Sequence, residues 1–186
     1  MTKISNRLRA SFVGILMLVA YAMLTYSATK NIALGVITDI VSGLAVIIIP
    51  FLLFPLFNNG NNKKLNKVYI IARFFEGLLI LIGGVLILLP SLEKYREVIY
   101  SDIQIYFFIS GALFFYILFY RTRLIPVFIS LWGIVATILL LAVTILKLFG
   151  IDSVALQMLF LPIALNELFL AVWLIVKGFN FVNSDG

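Results

Sequence analysis

The sequence contains no cysteine and no histidine in 186 residues. Without cysteine there is no disulfide, no thiol nucleophile, no iron–sulfur cluster and no thiolate zinc site. Without histidine the commonest general base, metal ligand and haem ligand are missing, and most catalytic triads go with them. Charge is scarce as well: 12% of residues are Asp, Glu, Lys or Arg, against about 25% in a soluble domain. No glycine-rich phosphate loop of the P-loop pattern occurs. A metal site would need carboxylates alone, and only Glu76 and Glu167 lie deep enough in apolar sequence to cluster. The sequence therefore names no catalytic residue, no metal site and no cofactor, and an enzyme is the weaker expectation.

Apolar residues are what the chain has in excess. They make up 63% of it, whereas a soluble domain holds about 45–50%. A small domain leaves a large share of its chain at the surface, so the surplus must face lipid. The mean hydropathy of +1.17 agrees. Six apolar runs, 10–29, 36–57, 68–90, 99–120, 126–149 and 154–177, approach the ~20 residues that a helix needs to cross ~30 Å of hydrocarbon. The expectation is all-α: a six-helix transmembrane bundle forming a single integral membrane domain over 1–186, with short loops.

The interruptions have chemical causes. Residues 58–64 are a turn-forming polar stretch rich in asparagine, and Pro90 closes the third run. Glu93, Lys94, Arg96 and Glu97 read as a charged loop, and Arg121 and Arg123 part the fourth and fifth runs. Gly150, Asp152 and Ser153 part the fifth and sixth. The first run is too long for the apolar core of a signal peptide, and Tyr26 spoils the small-residue pattern before Ala28, so a retained helix is expected.

Lys and Arg near the span ends set the orientation. With the N-terminus inside, the inner side holds Lys3, Arg7, Arg9, Lys63, Lys64, Lys67, Arg73, Arg121, Arg123 and Lys177, ten of fourteen. Both termini are therefore expected in the cytoplasm. Trp132 and Trp173 then fall at the inner interface, where amphipathic rings are favoured. The net charge of +6 suits anionic headgroups. No separate basic face with interleaved aromatics marks a nucleic-acid partner. Opposed halves of three spans permit an inverted repeat, but the halves show no sequence echo. Gly77, Gly83 and Gly84, with Ser110, Gly111 and Ala112, are small-residue patches for close helix packing.

Two segments carry a family resemblance. One is Arg121-Thr122-Arg123-Leu124-Ile125-Pro126 followed by Ile129-Ser130-Leu131-Trp132-Gly133. The other is the tail from Pro162 through Asn166 and Glu167 to Trp173 and Phe179. Ala72-Arg73-Phe74-Phe75-Glu76 also fits. The chain resembles domain of unknown function family 4386, multi-pass bacterial membrane proteins. Val127 stands where that family commonly has a basic residue. The resemblance implies a bacterial plasma-membrane protein and implies no activity.

Five polar residues lie within apolar runs: Asp39, Arg73, Glu76, Asn166 and Glu167. Charges there are expensive, at least ~2.5–3.5 kcal/mol each on insertion scales. Arg73 and Glu76 are three apart and share a helix face. Arg73 is roughly 8 Å from the inner end of its span, near enough for its side chain to snorkel outward, and Glu76 roughly 12 Å. Glu167 is roughly 15 Å deep on the sixth span. If those helices touch, Arg73 bridges both carboxylates. Pro162, upstream of Asn166 and Glu167, is positioned to bend the sixth span. Asp39, near the outer end of the second, is expected to reach headgroups or Lys30.

Two readings of Arg73, Glu76, Asn166 and Glu167 stay open. One is a site that binds a small ligand or ion, or relays a proton, in a small transporter. The other is an interhelical polar lock in a structural or accessory protein that packs against itself or partner membrane proteins.

Overall fold

The computed structural model describes residues 5–151 and 153–180; Lys3 and Asp152, invoked above, lie outside them. Among the described residues there is no strand. Six helices are long and apolar enough to cross a membrane: α1 (Asn6–Thr29), α2 (Ile32–Phe57), α3 (Gly60–Ile87), α4 (Glu93–Thr122), α5 (Val127–Leu148) and α6 (Val154–Val176). The helix ends follow capping chemistry. Ser5, Asn31 and Ser153 accept the backbone N–H of Leu8, Leu34 and Leu156, which satisfies donors a helix start leaves open. Lys30 and Arg123 close their helices in the left-handed conformation, at φ 55° and 56°.

The residues read as a charged loop at Glu93–Glu97 instead form the first turns of α4. Local sequence suggested a loop because four of five residues there are charged. The helix persists because Arg96 finds a buried partner, described below.

Each helix packs on the next in the chain, and α6 returns to pack on α1. The helices thus form a ring in chain order. Small residues set the closest approaches. Gly43 of α2 and Gly77 of α3 face one another, and a Cβ on either would meet the other's carbonyl oxygen at 2.7–2.8 Å. Gly14 of α1 meets the Ala171 carbonyl of α6 in the same way. Backbones that approach so closely gain dispersion contact, the main attraction available between helices in lipid. Outward positions such as Phe12, Ile37, Phe51, Val135 and Ile138 are large, apolar and exposed, as a lipid-facing surface requires.

Alternation of direction gives the ring two ends. The end at which α1 starts and α6 stops is tied by Arg7, whose Nη2 donates to the Ile175 and Val176 carbonyls at 2.7 and 2.9 Å. These are carbonyls that the end of a helix leaves free. Aromatic side chains plug this end from inside. Phe57, Tyr69, Phe115 and Phe119 are fully buried, with Phe57–Phe119 and Phe115–Phe119 centroids 5.0 and 4.7 Å apart in edge-to-face contact. The opposite end is less tightly filled, and the cavities described next lie toward it.

Candidate functional site

A ring of six helices encloses more space than side chains fill in a four-helix bundle, and here part of it is empty. A cavity of about 380 Å³ is lined from all six helices, by Met17, Val46, Arg73, Phe108, Leu140 and Glu167 among others. Most of its wall is apolar. Its charged groups converge on one place.

Arg73 and Glu76 stand one turn apart on α3. Arg73 Nη1 donates to both Glu76 oxygens, at 3.1 and 2.9 Å. Arg73 Nη2 lies 3.8 Å from Glu167 Oε1 of α6, an ion pair too long to be a hydrogen bond. Arg73 therefore faces inward and does not snorkel outward; it is 8% exposed. Gly111 of α4 makes room for its side chain, because a Cβ there would lie 3.0 Å from Arg73 Nε. The guanidinium also faces the rings of Phe108 and Phe115 at 5.5 and 5.9 Å, a cation–π arrangement that offsets part of its lost hydration.

Tyr21 belongs to the site although the sequence reading passed over it. Its hydroxyl donates to Glu167 Oε2 at 2.8 Å. The available signal was a single hydroxyl within the otherwise apolar stretch 12–24. Asn166 does not join the cluster. It is fully buried and turned onto α5, where Nδ2 donates to the Ile129 carbonyl at 3.1 Å. Consecutive residues on a helix point about 100° apart, so Glu167 can face the cavity while Asn166 faces a neighbour.

Three helices leave α geometry near this level. α1 tightens to a 3₁₀ turn at Tyr21–Leu24, α4 widens to a π turn at Tyr100–Gln104, and α6 tightens at Met158–Phe160. The last has a clear cause. Pro162 lacks the N–H that would bond Met158, and the Leu161 N–H takes that carbonyl instead. Pro162 thus sits in the first turn of the α segment Leu161–Val176, where proline is tolerated.

A second cavity, of about 300 Å³, lies toward the open end beside Glu97, Ser101 and Lys147. It shares Met23, Leu24, Gln104, Ile105 and Phe160 with the first. Four of the five come from the distorted turns, so the two chambers meet where regular helix is interrupted.

A second polar cluster flanks the outer chamber. Asp39 does not reach headgroups or Lys30; it is fully buried, and Arg96 of α4 binds it through Nε and Nη2 at 2.9 and 3.1 Å. Lys30 instead approaches Glu97 at 3.8 Å. The Tyr100 hydroxyl lies 2.9 Å from Asp39 Oδ2. Arg96 Nη2 also donates to the Met23 carbonyl at 2.9 Å, within the 3₁₀ turn of α1. α1, α2 and α4 are joined there by charge-assisted bonds, the stronger kind. Among the described residues no three metal-ligating side chains come together.

The family model described as Domain of unknown function (DUF4386) matches residues 89–178, which is the family the sequence resembles. The matched stretch includes α4, α5 and α6, and with them Arg96 and Glu167; Tyr21, Arg73 and Glu76 lie outside it. No curated protein and no solved structure matches the chain.

Proposed function

We propose that this chain is one integral membrane domain of a bacterial plasma membrane, which binds a small ligand in its central cavity and moves it across the bilayer. The observation that carries this reading is the placement of Arg73, Glu76 and Glu167 on the wall of a cavity lined by six helices. A polar lock whose task is packing has no need of empty space beside it. Voids in a packed interior are destabilising in proportion to their volume. Small-molecule sites share the features seen here: about 300–1,000 Å³, mostly apolar walls and a few convergent polar groups.

The Lys and Arg distribution supports a cytoplasmic position for the plugged end. Among the described residues Arg7, Arg9, Lys63, Lys64, Lys67, Arg121, Arg123 and Lys177 belong to that end. The outer chamber then opens to the outside, and Met23, Leu24, Gln104, Ile105 and Phe160 form a constriction between it and the site. The aromatic plug closes the inner side, so this conformation faces outward. Alternating access requires a second arrangement in which the plug opens.

The test uses the absence of native cysteine. Ala164 lines the cavity one turn before Glu167. In Ala164→Cys, a small membrane-impermeant thiol reagent is expected to react from the outside. A folded variant that reacts from neither side has a sealed core, and the accessory reading then replaces this one.

A further inference from the structure

We infer that the ligand of the central cavity is an organic monocation with an apolar body, its charged group held by the Glu167 carboxylate. This rests on the reading of the cavity as a ligand site and adds the chemical class of the ligand.

The argument begins with charge. The cavity wall carries two carboxylates, Glu76 and Glu167, and one guanidinium, Arg73. Arg73 pairs first with Glu76, whose two oxygens both accept from its Nη1, while its Nε has no hydrogen-bond partner among the described residues. Glu167 is left with the neutral Tyr21 hydroxyl on Oε2 and a guanidinium 3.8 Å from Oε1. Glu167 is 7% exposed, so bulk water does little for it. Among the described residues no lysine lines the cavity. The site is one positive charge short, and a buried carboxylate without a full partner is strongly unfavourable. An anionic ligand would add a third negative charge to two carboxylates that share one guanidinium.

Shape narrows the class. A proton or a bare metal ion would neutralise Glu167 and leave the cavity empty. Among the described residues no three metal-ligating groups assemble. Apart from the neutral Tyr69 and Gln104, the remaining wall, including Leu24, Ile49, Phe108, Phe160 and Ile163, is apolar. It offers dispersion contact to a hydrocarbon or aromatic body and nothing for a second charge. Cation recognition by one carboxylate and body recognition by the wall belong to the same molecule.

The experiment compares three probes that differ in charge: 2-phenylethylammonium, neutral 2-phenylethanol and anionic 3-phenylpropionate. Each is tested, at equal concentration, for protection of Ala164→Cys against an impermeant thiol reagent in native membranes. The ammonium is expected to slow labelling, and the alcohol and the carboxylate are not. In the Glu167→Gln, Ala164→Cys double variant the ammonium should bind at least about tenfold more weakly, the loss of one charge-assisted contact. Protection that is equal across the three probes, or absent for all of them, overturns the charge assignment. If Glu167→Gln does not fold, the probe series alone decides. Loss of labelling without any probe is a separate outcome: it removes the ligand site itself, whereas labelling without charge selectivity removes this inference alone.

Discussion

Arg96 grips Asp39 with two hydrogen bonds, Nε to Oδ2 at 2.9 Å and Nη2 to Oδ1 at 3.1 Å, between side chains that are 1% and 0% exposed. Neither charge has water to fall back on. Removing one member strands the other, and such a loss typically costs about 3–5 kcal/mol. We predict that Arg96→Ala and Asp39→Ala each lower stability by that order in detergent unfolding experiments. The double variant should lose clearly less than the sum, because its second substitution removes a stranded charge. Additive losses would show that the two residues act independently.

The Gly43–Gly77 contact makes the second prediction. α2 and α3 approach until each glycine faces the other's carbonyl, and the nearest atoms include backbone that cannot rotate away. Gly77→Ala must push the helices apart or strain them, at about 1–3 kcal/mol as for other overpacked sites. Gly60→Ala serves as the contrast for crowding, since no atom lies near the added Cβ, although its φ of 43° adds strain there. Thermal denaturation of Gly77→Ala in micelles checks the size; an unchanged midpoint would mean that the helices are not in close contact.

The six spans were legible because each is a long apolar run, and length and composition are local properties. The pairing of Arg73 with Glu76 was legible from i,i+3 spacing, and the common depth of Glu76 and Glu167 from counting residues along two spans. Rotation about the helix axis was not, and Asn166 shows why. It lies at nearly the same depth as Glu167 and differs from it by one helical step, which suffices to place it against α5. Asp39 and Arg96 were misplaced for a related reason. Each looked like an interfacial charge, and only the tertiary arrangement, in which the long Arg96 side chain reaches from α4 to α2, lets them meet. The empty cavity had no sequence signal at all, because it is a property of how six helices are arranged.

The constriction proposed between the chambers makes a third prediction. Leu24 and Phe160 contribute to both cavities from two distorted turns. Leu24→Trp adds bulk at that level while leaving the cluster unchanged. Labelling of Ala164→Cys from the outside should slow by about tenfold or more, by analogy with other gating residues that act away from the chemistry. A cysteine at Ser101, which lines the outer chamber alone, should keep its reactivity. Equal slowing at both positions would place the barrier elsewhere, and no slowing would mean that the reagent reaches Ala164 by another route.

The last prediction concerns the imbalance within the cluster. Arg73 is the only cation beside two carboxylates, so its loss is the most severe single change the site can suffer. Arg73→Gln preserves much of the side-chain volume and some hydrogen bonding but leaves Glu76 and Glu167 without a positive partner. The expected loss is about 3–5 kcal/mol, that of a stranded buried charge. Adding Glu76→Gln should recover a substantial part, since the remaining Glu167 keeps the Tyr21 hydroxyl at 2.8 Å. Adding Tyr21→Phe to Arg73→Gln should deepen the loss, because Glu167 then keeps neither its ion-pair partner nor its hydrogen-bond donor. Stability measured across this set separates charge from packing: a cluster held by packing would respond to side-chain volume, and Glu76→Gln, which barely changes volume, would rescue nothing.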